Sequence, residues 1–432
     1  MNRRASRRAH PARHPDRAAR VLYLSYDGMC DPLGTSQVLP YLQGLAKRGH
    51  SISLISFEKP ERSIEERAAI QHLCAGSGID WHPQRYHKRP AVLSSMFDVW
   101  QMRRIAERLH RDEPFDLAHC RSYLPSLVGL SMKRRHGVGF VFDMRGFWAD
   151  ERVDGGIWKL RNPLFRWIYR SFKRRETDFL TEADHIISLT KEGREVLLDR
   201  ADRRADGPPI TVIPCCVDFD LFGAVTQAQR SAARVEFGIG RSGNVLSYIG
   251  SLGGNYMLGE MLDFFRIYRE RHRESRFLFI THTPEAEVRS SAARKGIADS
   301  DVIVRKATRE QVPALMAAAD LGIAFKQPNF SAKACSPTKL SEMLAVEIPI
   351  VTNGGVGDVE LILSETRAGV VVERFNDDAY RAALDELAGL KPDMRRWRSA
   401  ARRWFDLEAG IDRYDDVYRN ILEAADPRDL AA

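Results

Sequence analysis

The 432-residue chain lacks long apolar runs, and no stretch of about 18 or more apolar residues occurs in it. This absence excludes a transmembrane helix. The N-terminal segment is polar and rich in arginine, and it lacks the apolar core of a secretory signal. We therefore expect a cytoplasmic protein, and hydrophobic and charged fractions of 44% and 29% are ordinary for a globular one.

Cysteine is also scarce, and none of the six cysteines stands at metal-ligand spacing from another. We interpret them as small apolar residues of a protein in a reducing compartment. The glycine-containing loop at 27–37 is not a G-x-G-x-x-G fingerprint, so nothing in it specifies a dinucleotide cofactor.

The net charge of +8 is concentrated at the N-terminus. Residues 1–20 carry seven arginines against the single acidic residue Asp16, and we expect residues 1–19 to form a disordered basic tail. A second basic cluster lies at 157–175. The remainder of the chain is slightly acidic, which argues against a broad surface for DNA or RNA, so we expect no nucleic-acid partner.

A buried strand at 21–25 leads into a loop rich in turn-forming residues, and a helix and a second strand follow. This order is typical of α/β units, in which ligands bind beyond the carboxyl ends of the strands. Gly34 in the loop would let a ligand approach the backbone closely, and we take Gly34 and its neighbour Thr35 as candidates for binding.

The strand at 140–142 ends in a group of acidic, basic and aromatic residues, a composition expected where a sheet edge opens into a pocket. We take Asp143 and Arg145 as candidate catalytic residues. The alternative is a buried Asp–Arg pair that holds the loop, and the sequence favours neither interpretation.

The basic cluster at 157–175 contains seven Lys and Arg residues, several aromatic side chains and no acidic residue. Such a segment could lie on an anionic membrane surface, where each basic residue contributes roughly 1 kcal/mol. The alternative is a domain helix with one buried apolar face and solvated cations.

A linker rich in charge and proline at 199–209 separates this half from a second series of alternating strands and helices. Short apolar strands are predicted at 245–249, 277–281, 302–304 and 321–325. The fold class we expect is α/β, with parallel sheets covered on both faces. We predict two tandem Rossmann-like doubly wound domains at 20–205 and 206–390, followed by C-terminal helices at 391–432 that return towards the first domain.

The stretch at 336–345 has the composition of a helix start. Ser336 is a good N-cap residue, and Pro337 suits the first helical position. The open amides of the first turn, together with Lys339, would attract a phosphate, while the carboxylate of Glu342 could bind a diol. The alternative is an ordinary capped helix of an α/β domain.

Several segments, taken in order, resemble glycosyltransferase family 4, the retaining nucleotide-sugar transferases of the GT-B type. Each segment is weak alone, but their joint order is specific. The resemblance extends over about residues 20–425 and implies two Rossmann-like domains that face each other across a cleft. Sequences of this kind with Ser–Pro–Thr–Lys before the glutamate are associated with bacterial surface-polysaccharide assembly. The segments that carry the resemblance are 31–37, 212–218, 249–252, 318–323 and 336–358.

By this resemblance, Glu342 is the second glutamate of the family's pair, and its carboxylate accepts hydrogen bonds from the ribose hydroxyls of the nucleotide. The first glutamate would fall at position 334, where this chain has Ala334. That glutamate normally touches the donor sugar, so we expect Ser336 or Thr338 to take over its role with backbone amides.

The basic pair with which the family clamps the diphosphate is also missing. Ser251 and Asn255, which follow the strand that ends at Gly250, stand where arginine and lysine are usual. We still expect Gly250, Ser251 and Asn255 to line the donor site. The positive charge is then expected from Lys339, Arg305 or Lys306.

The resemblance implies transfer of a sugar from a nucleoside diphosphate to a glycan or lipid-linked acceptor, without a cofactor. No Asp-x-Asp pair stands in a context that suggests a metal site, so we expect metal-independent transfer. A nucleotide-sugar epimerase or hydrolase on the same scaffold is one alternative. A degenerate protein that binds nucleotide sugar without catalysis is another, suggested by Ala334, Ser251 and Arg145, the last of which replaces a histidine of the family.

Overall fold

The computed structural model describes residues 18–200, 203–204, 206–240, 243–390 and 393–424. The basic tail predicted at 1–19 lies outside the described residues, apart from Ala18 and Ala19. Ala19 is buried, and its backbone amide donates a hydrogen bond to Nδ1 of His50 at 3.0 Å. The first domain therefore includes Ala19, which the sequence assigned to the tail.

Seven strands form the first sheet: β1 (Arg20–Ser25), β2 (Ser51–Glu58), β3 (Ile79–Arg85), β4 (Leu117–Arg121), β5 (Gly139–Asp143), β6 (His185–Ser188) and β7 (Ile210–Val212). Their order is β3-β2-β1-β4-β5-β6-β7, and all neighbours are parallel. Side chains alternate along β1, so that Val21 and Tyr23 join one buried apolar cluster while Leu22 and Leu24 join another. Both faces of the sheet are therefore covered, as the predicted fold class requires.

The helices of the first domain cover these two faces. Leu42 of the second helix packs in one cluster, and Phe179 of the seventh helix packs in the other. The helices are α1 (Pro32–Gln37), α2 (Leu39–Lys47), α3 (Ile64–Gly76), α4 (Ala91–Asp112), α5 (Tyr123–His136), α6 (Trp148–Asp154), α7 (Pro163–Glu182) and α8 (Lys191–Leu198).

The strand β7 belongs to the first sheet, because it pairs with β6 from Ile186↔Ile210 to Ser188↔Val212. The sequence placed the domain boundary between residues 205 and 206, which would assign this strand to the second domain. The charged, proline-containing segment that suggested a linker instead connects α8 to β7. The crossing to the second domain therefore follows Val212.

Six strands form the second sheet: β8 (Val245–Ile249), β9 (Arg276–Ile280), β10 (Val302–Arg305), β11 (Leu321–Ala324), β12 (Ile350–Asn353) and β13 (Gly369–Val372). Their order is β10-β9-β8-β11-β12-β13, and all neighbours are parallel. Val245 and Leu246 of β8 point into different apolar clusters, so this sheet is also covered on both faces.

The remaining helices are α9 (Gln227–Glu236), α10 (Leu258–Arg271), α11 (Glu285–Arg294), α12 (Val312–Met316), α13 (Thr338–Ala345), α14 (Val359–Thr366), α15 (Asp377–Gly389), α16 (Met394–Phe405) and α17 (Leu407–Ala424). Two short 3₁₀ helices lie at Asp299–Asp301 and Phe330–Ala334.

The C-terminal segment, predicted as helices at 391–432, contains the two helices α16 and α17. Asp406 interrupts it, since its backbone is extended and its carboxylate accepts a hydrogen bond from the amide of Ala409 at 3.2 Å. Trp397 of α16 packs in the core of the second domain, and Tyr418 of α17 packs in the core of the first. The chain thus returns to the first domain as predicted.

Candidate functional site

The loops at the carboxyl ends of the two sheets meet across the cleft between the domains. Phe147, which follows β5, stacks on Phe330 of the second domain with ring centroids 5.0 Å apart. Oγ1 of Thr190, which follows β6, donates a hydrogen bond to the carbonyl oxygen of Lys333 at 2.7 Å. In doubly wound folds ligands bind at these strand ends, so the candidate functional site lies at this edge of the two sheets.

Asp143 lies at the end of β5, but its side chain is fully buried in the first domain. Its Oδ2 lies 3.3 Å from Nε2 of His119 and accepts a hydrogen bond from the hydroxyl of Tyr414 at 3.2 Å. Nη1 of Arg145 lies 3.8 Å from Oδ1. Burial by itself would raise the pKa of Asp143, but Arg145 and His119 outweigh burial and hold that pKa below its ordinary value.

These contacts correct the catalytic assignment of Asp143. A carboxylate without solvent exposure does not reach a sugar in the cleft, and its partners come from the core and from α17. Asp143 and Arg145 form an ion pair, the alternative that the sequence left open, while Nε and Nη1 of Arg145 have no hydrogen-bond partner among the described residues. Tyr414 lies 271 positions from Asp143 in the sequence, so this contact could not be read from local patterns.

Gly34 and Thr35 lie in α1, and the contacts described for them are local. A Cβ at Gly34 would lie 2.3 Å from the carbonyl oxygen of Gly28, so glycine is required here by the packing of the turn. Oγ1 of Thr35 donates to carbonyl groups of the preceding turn at 3.2 and 3.4 Å. The buried carboxylate of Glu58 binds two amides of the same loop at 2.7 and 3.1 Å. The loop groups expected to bind a ligand are thus used by the loop itself.

The helix predicted near 336–345 is present as α13, which begins at Thr338 with Pro337 as its N-cap. The prediction of Ser336 as N-cap is wrong, because its Oγ accepts a hydrogen bond from the amide of Cys215 at 3.1 Å. The cap residue Pro337 supplies no side-chain hydrogen bond to the helix. The amides of Thr338 and Lys339 in the first turn are therefore open to a ligand.

Lys339 is buried, and its Nζ lies 3.7 Å from the ring centroid of Tyr256. The backbone of Gly250, directly after β8, has a φ of +99°, and a Cβ there would lie 2.9 Å from Nζ of Lys339. Glycine at this position therefore makes room for the ammonium group. Burial lowers the pKa of Lys339 to about 8, although the charge of Glu342 opposes this effect.

A second lysine, Lys326, lies beside the same ring and was not identified from the sequence. It follows β11, is 8% exposed, and its Nζ lies 5.4 Å from the ring centroid of Tyr256. Asn353 holds its backbone from β12, with Oδ1 accepting from the amide and Nδ2 donating to the carbonyl, both at 2.8 Å. The one sequence signal that could have identified Lys326 was its place at the carboxyl end of a predicted buried strand.

The loop after β8 is tied to the segment that carries Lys326. The amide of Gln327 donates to the carbonyl oxygen of Asn255 at 2.7 Å. Asn255 is 8% exposed, and its Oδ1 has no hydrogen-bond partner among the described residues. Ser251 is exposed, and its carbonyl accepts a hydrogen bond from the hydroxyl of Tyr248 at 2.7 Å. The structure thus brings Gly250 and Asn255 together with the two lysines.

Glu342 lies on α13 one turn beyond Lys339, and its Oε1 accepts a hydrogen bond from Nη1 of Arg309 at 2.5 Å. Arg305 and Lys306, which the sequence suggested, are exposed. The guanidinium of Arg305 lies over the ring of Phe237, 5.3 Å from its centroid. Arg309 is therefore the basic residue of this loop that reaches the site, and the sequence missed it.

Ala334 ends a 3₁₀ helix of the second domain, yet it packs in the apolar cluster of the first. It is 3% exposed, and a Cβ on Gly193 of α8 would lie 3.0 Å from its methyl group. A glutamate here would have to bury its carboxylate among apolar side chains. A glutamate at position 334 is therefore incompatible with the contact that Ala334 makes between the domains.

Within the described ranges, no group of three or more His, Cys, Asp and Glu side chains could hold a metal ion. None of the helices that the structure describes has the length and apolarity needed to cross a bilayer. The charged side chains at the site are Lys326, Lys339 and Arg309, with the carboxylate of Glu342 bound to Arg309.

Two solved structures share the arrangement of both domains. Sucrose-phosphate synthase from Thermosynechococcus elongatus has a TM-score of 0.69 at 13% identity, over 94% of this chain and 100% of that chain. HepE of Anabaena, in complex with UDP-glucose, has a TM-score of 0.67 at 12% identity, over 93% and 100%. At these identities the likeness shows the fold alone, which is the predicted two-domain GT-B fold.

Two family models match the chain. Glycosyltransferase Family 4 matches residues 36–221, and Glycosyl transferases group 1 matches residues 243–389. The D-inositol 3-phosphate glycosyltransferase of Mycobacteroides abscessus is 24% identical over 404 residues, which are 88% of this chain and 84% of that protein. Both halves of the chain thus match glycosyltransferase models, as the motifs indicated, and the chain is a glycosyltransferase of the GT-B type.

Proposed function

We propose that this enzyme transfers a sugar from a nucleoside diphosphate to a glycan or lipid-linked acceptor, with retention of the anomeric configuration. The observation that carries the proposal is the buried ammonium group of Lys339 at the open start of α13. A buried cation without a carboxylate partner is costly, and an anion that binds beside it removes the cost. A diphosphate at this position would direct the ribose towards Glu342 on the same helix.

The proposed reaction breaks the bond between the anomeric carbon and the diphosphate, so negative charge grows on the leaving group. Lys339 and the amides of the first turn would stabilise that charge, most strongly where water is excluded. Contacts between the domains, such as Phe147 on Phe330, would limit access of water and so hydrolysis of the donor. We propose that no metal or cofactor is needed, because the protein itself supplies the cationic groups.

Turnover assays with a panel of UDP-, GDP- and ADP-sugars test the proposal, with mass spectrometry of the products. UDP-glucose is included among the donors, because HepE was crystallised with it. Inositol phosphate is included among the acceptors, because the mycobacterial relative is named for a phosphorylated inositol. Transfer to an acceptor, unchanged by EDTA, is expected. Free sugar or an epimerised donor in the absence of acceptor would indicate a hydrolase or epimerase. Nucleotide binding without turnover of any donor would indicate a degenerate protein.

We further propose that the enzyme works in the cytoplasm at the inner face of the membrane, in the assembly of a surface polysaccharide. The segment 157–175 supports this proposal, because its two faces differ. Trp158 and Ile168 are buried, whereas Ile157, Leu164 and Trp167 are more than half exposed. Exposed arginines lie among these apolar residues at positions 161 and 166 and follow them at positions 170 and 174. One face therefore packs in the domain, and the other presents apolar and basic side chains together.

Sedimentation with vesicles that contain phosphatidylglycerol tests this membrane contact. The combined variant Trp167→Ala, Arg170→Gln and Arg174→Gln should lose most binding, since each basic residue contributes roughly 1 kcal/mol near an anionic surface. The control is Arg395→Gln with Arg396→Gln, which removes two exposed charges from α16. Equal sedimentation of the wild type and the combined variant would contradict the proposal.

A further inference from the structure

We infer that Lys326 and Lys339 together bind the diphosphate of the donor, with the ring of Tyr256 as their common support. A pair of lysines, one after β11 and one at the start of α13, would then replace the basic pair that the chain lacks after β8. The inference rests on the proposed function and assigns a binding role to Lys326.

The two lysines concentrate positive charge in a buried place. Lys326 and Lys339 are 8% and 6% exposed, and lysine is rarely buried to this degree without a partner. Neither forms an ion pair with a carboxylate among the residues described, and the carboxylate of Glu342 is bound to Arg309. Two like charges without a counter-ion repel each other, and a ligand with two negative charges removes that cost. A diphosphate meets this requirement.

The backbone holds both lysines beside one ring. Tyr256 forms an antiparallel bridge with Lys326, and the amide of Met257 donates to the carbonyl oxygen of Phe325 at 3.0 Å. The Nζ atoms of Lys326 and Lys339 lie 5.4 and 3.7 Å from the ring centroid. A cation–π contact stabilises an ammonium group without neutralising it. The charge of both lysines therefore remains available to a ligand.

The arrangement also couples binding to a proton. Burial lowers the pKa of Lys339 to about 8, Lys326 lowers it further, and Glu342 raises it. Burial keeps the pKa of Tyr256 well above its ordinary value, so this ring stays neutral. The titratable and charged groups that face Lys339 from its neighbours are Tyr248, Tyr256, Lys326, Cys335 and Glu342.

A bound diphosphate raises the pKa of Lys339, so that the lysine is charged in the complex. Below pH 8 Lys339 is mostly charged in the free protein as well, so its protonation does not change the affinity for the diphosphate. Above pH 8 binding must take up a proton, and the affinity should fall by up to about tenfold per pH unit.

Calorimetry with UDP, GDP and ADP first identifies the nucleotide that the wild type binds. Lys326→Gln and Lys339→Gln should each weaken its binding about 10- to 100-fold, because each removes a charge-assisted contact. Inorganic pyrophosphate should compete with the nucleotide in the wild type and compete poorly in both variants. Lys47→Gln, which removes an exposed lysine at the end of α2 in the first domain, is the control and should bind as the wild type does.

The pH dependence of nucleotide affinity distinguishes a lysine that acts through its charge from one with a purely structural role. Loss of Lys326 removes its repulsion from Lys339, so the pH at which affinity begins to fall should move upwards in Lys326→Gln. The fall should disappear in Lys339→Gln, and Lys326→Arg should bind within a few-fold of the wild type.

No binding of any nucleotide by the wild type would overturn the proposed function and the inference together. Wild-type affinity and an unchanged pH dependence in Lys326→Gln would overturn the inference alone and leave the proposed function standing. Since the structural hydrogen bonds of Lys326 involve its backbone, we expect these variants to fold.

Discussion

Replacement of Glu342 by glutamine removes one charge and leaves the shape of the side chain nearly unchanged. In the proposed complex this carboxylate accepts hydrogen bonds from the ribose hydroxyls. A hydrogen bond to a charged group contributes about 1.5–3 kcal/mol, against about 0.5–1.5 kcal/mol between neutral groups. A loss of about 1–2 kcal/mol is therefore expected, which corresponds to roughly 5- to 30-fold weaker nucleotide binding.

The same substitution also breaks the ion pair with Arg309, whose side chain is 16% exposed against 11% for Glu342. An ion pair with this exposure is intermediate in strength between an exposed and a fully buried ion pair. We therefore expect a loss of about 1–3 kcal/mol in the free energy of unfolding. Arg309→Gln separates the two effects. It breaks the pair but keeps the carboxylate, so it should be similarly destabilised and bind nucleotide at least as tightly as the wild type.

The assay is calorimetry with the nucleoside diphosphate that binds and with its 2′-deoxy analogue. The wild type should prefer the ribonucleotide, and Glu342→Gln should lose most of this preference. If Glu342→Gln keeps both the affinity and the preference, while Arg309→Gln loses them, then the carboxylate is structural and the ribose lies elsewhere.

Three further predictions concern the surroundings of the site. Ala334→Glu should lower the melting temperature strongly, because burying a carboxylate costs several kcal/mol. Ala334→Ser is the control and should melt near the wild type. Equal melting temperatures of the two variants would contradict the packing argument. Gly250→Ala should weaken nucleotide binding more than tenfold, because the new Cβ would meet Nζ of Lys339. This effect adds to the cost of about 1–2 kcal/mol of a non-glycine residue at a positive φ. Gly253→Ala has a similar φ of +94° but open space around its Cβ, and it should retain affinity in the same titration. EDTA should leave the initial rate of transfer unchanged, and loss of activity restored by Mg²⁺ would refute the metal-independent account.

The fold could be predicted because its signals are local. Each domain repeats short apolar strands with helices between them, and that order dictates parallel sheets covered on both faces. The position of Lys339 and Glu342 on one helix was also accessible, since residues three apart lie on one side of a helix. The boundary near residue 206 was misplaced because a charged segment with two prolines is equally compatible with a loop inside a domain.

The rest of the site depends on contacts between distant parts of the chain. Asp143 ends a strand in the manner of a site residue, but its partner Tyr414 on α17 buries it. Lys326 and Arg309 are ordinary in their local sequence, and only the packing of the loops after β11 and β10 against α13 and Tyr256 brings them to the site. Ser336 looks like an N-cap, yet the crossing segment at Cys215 uses its hydroxyl instead.

A crystal structure of the protein with its bound nucleotide sugar tests most directly whether the start of α13 binds the diphosphate. We expect phosphate oxygens within hydrogen-bond distance of Nζ of Lys339 and of the amides at Thr338 and Lys339, with the ribose hydroxyls at Glu342. A diphosphate bound instead at the loop that holds Gly34, or at the exposed Arg305, would contradict this account.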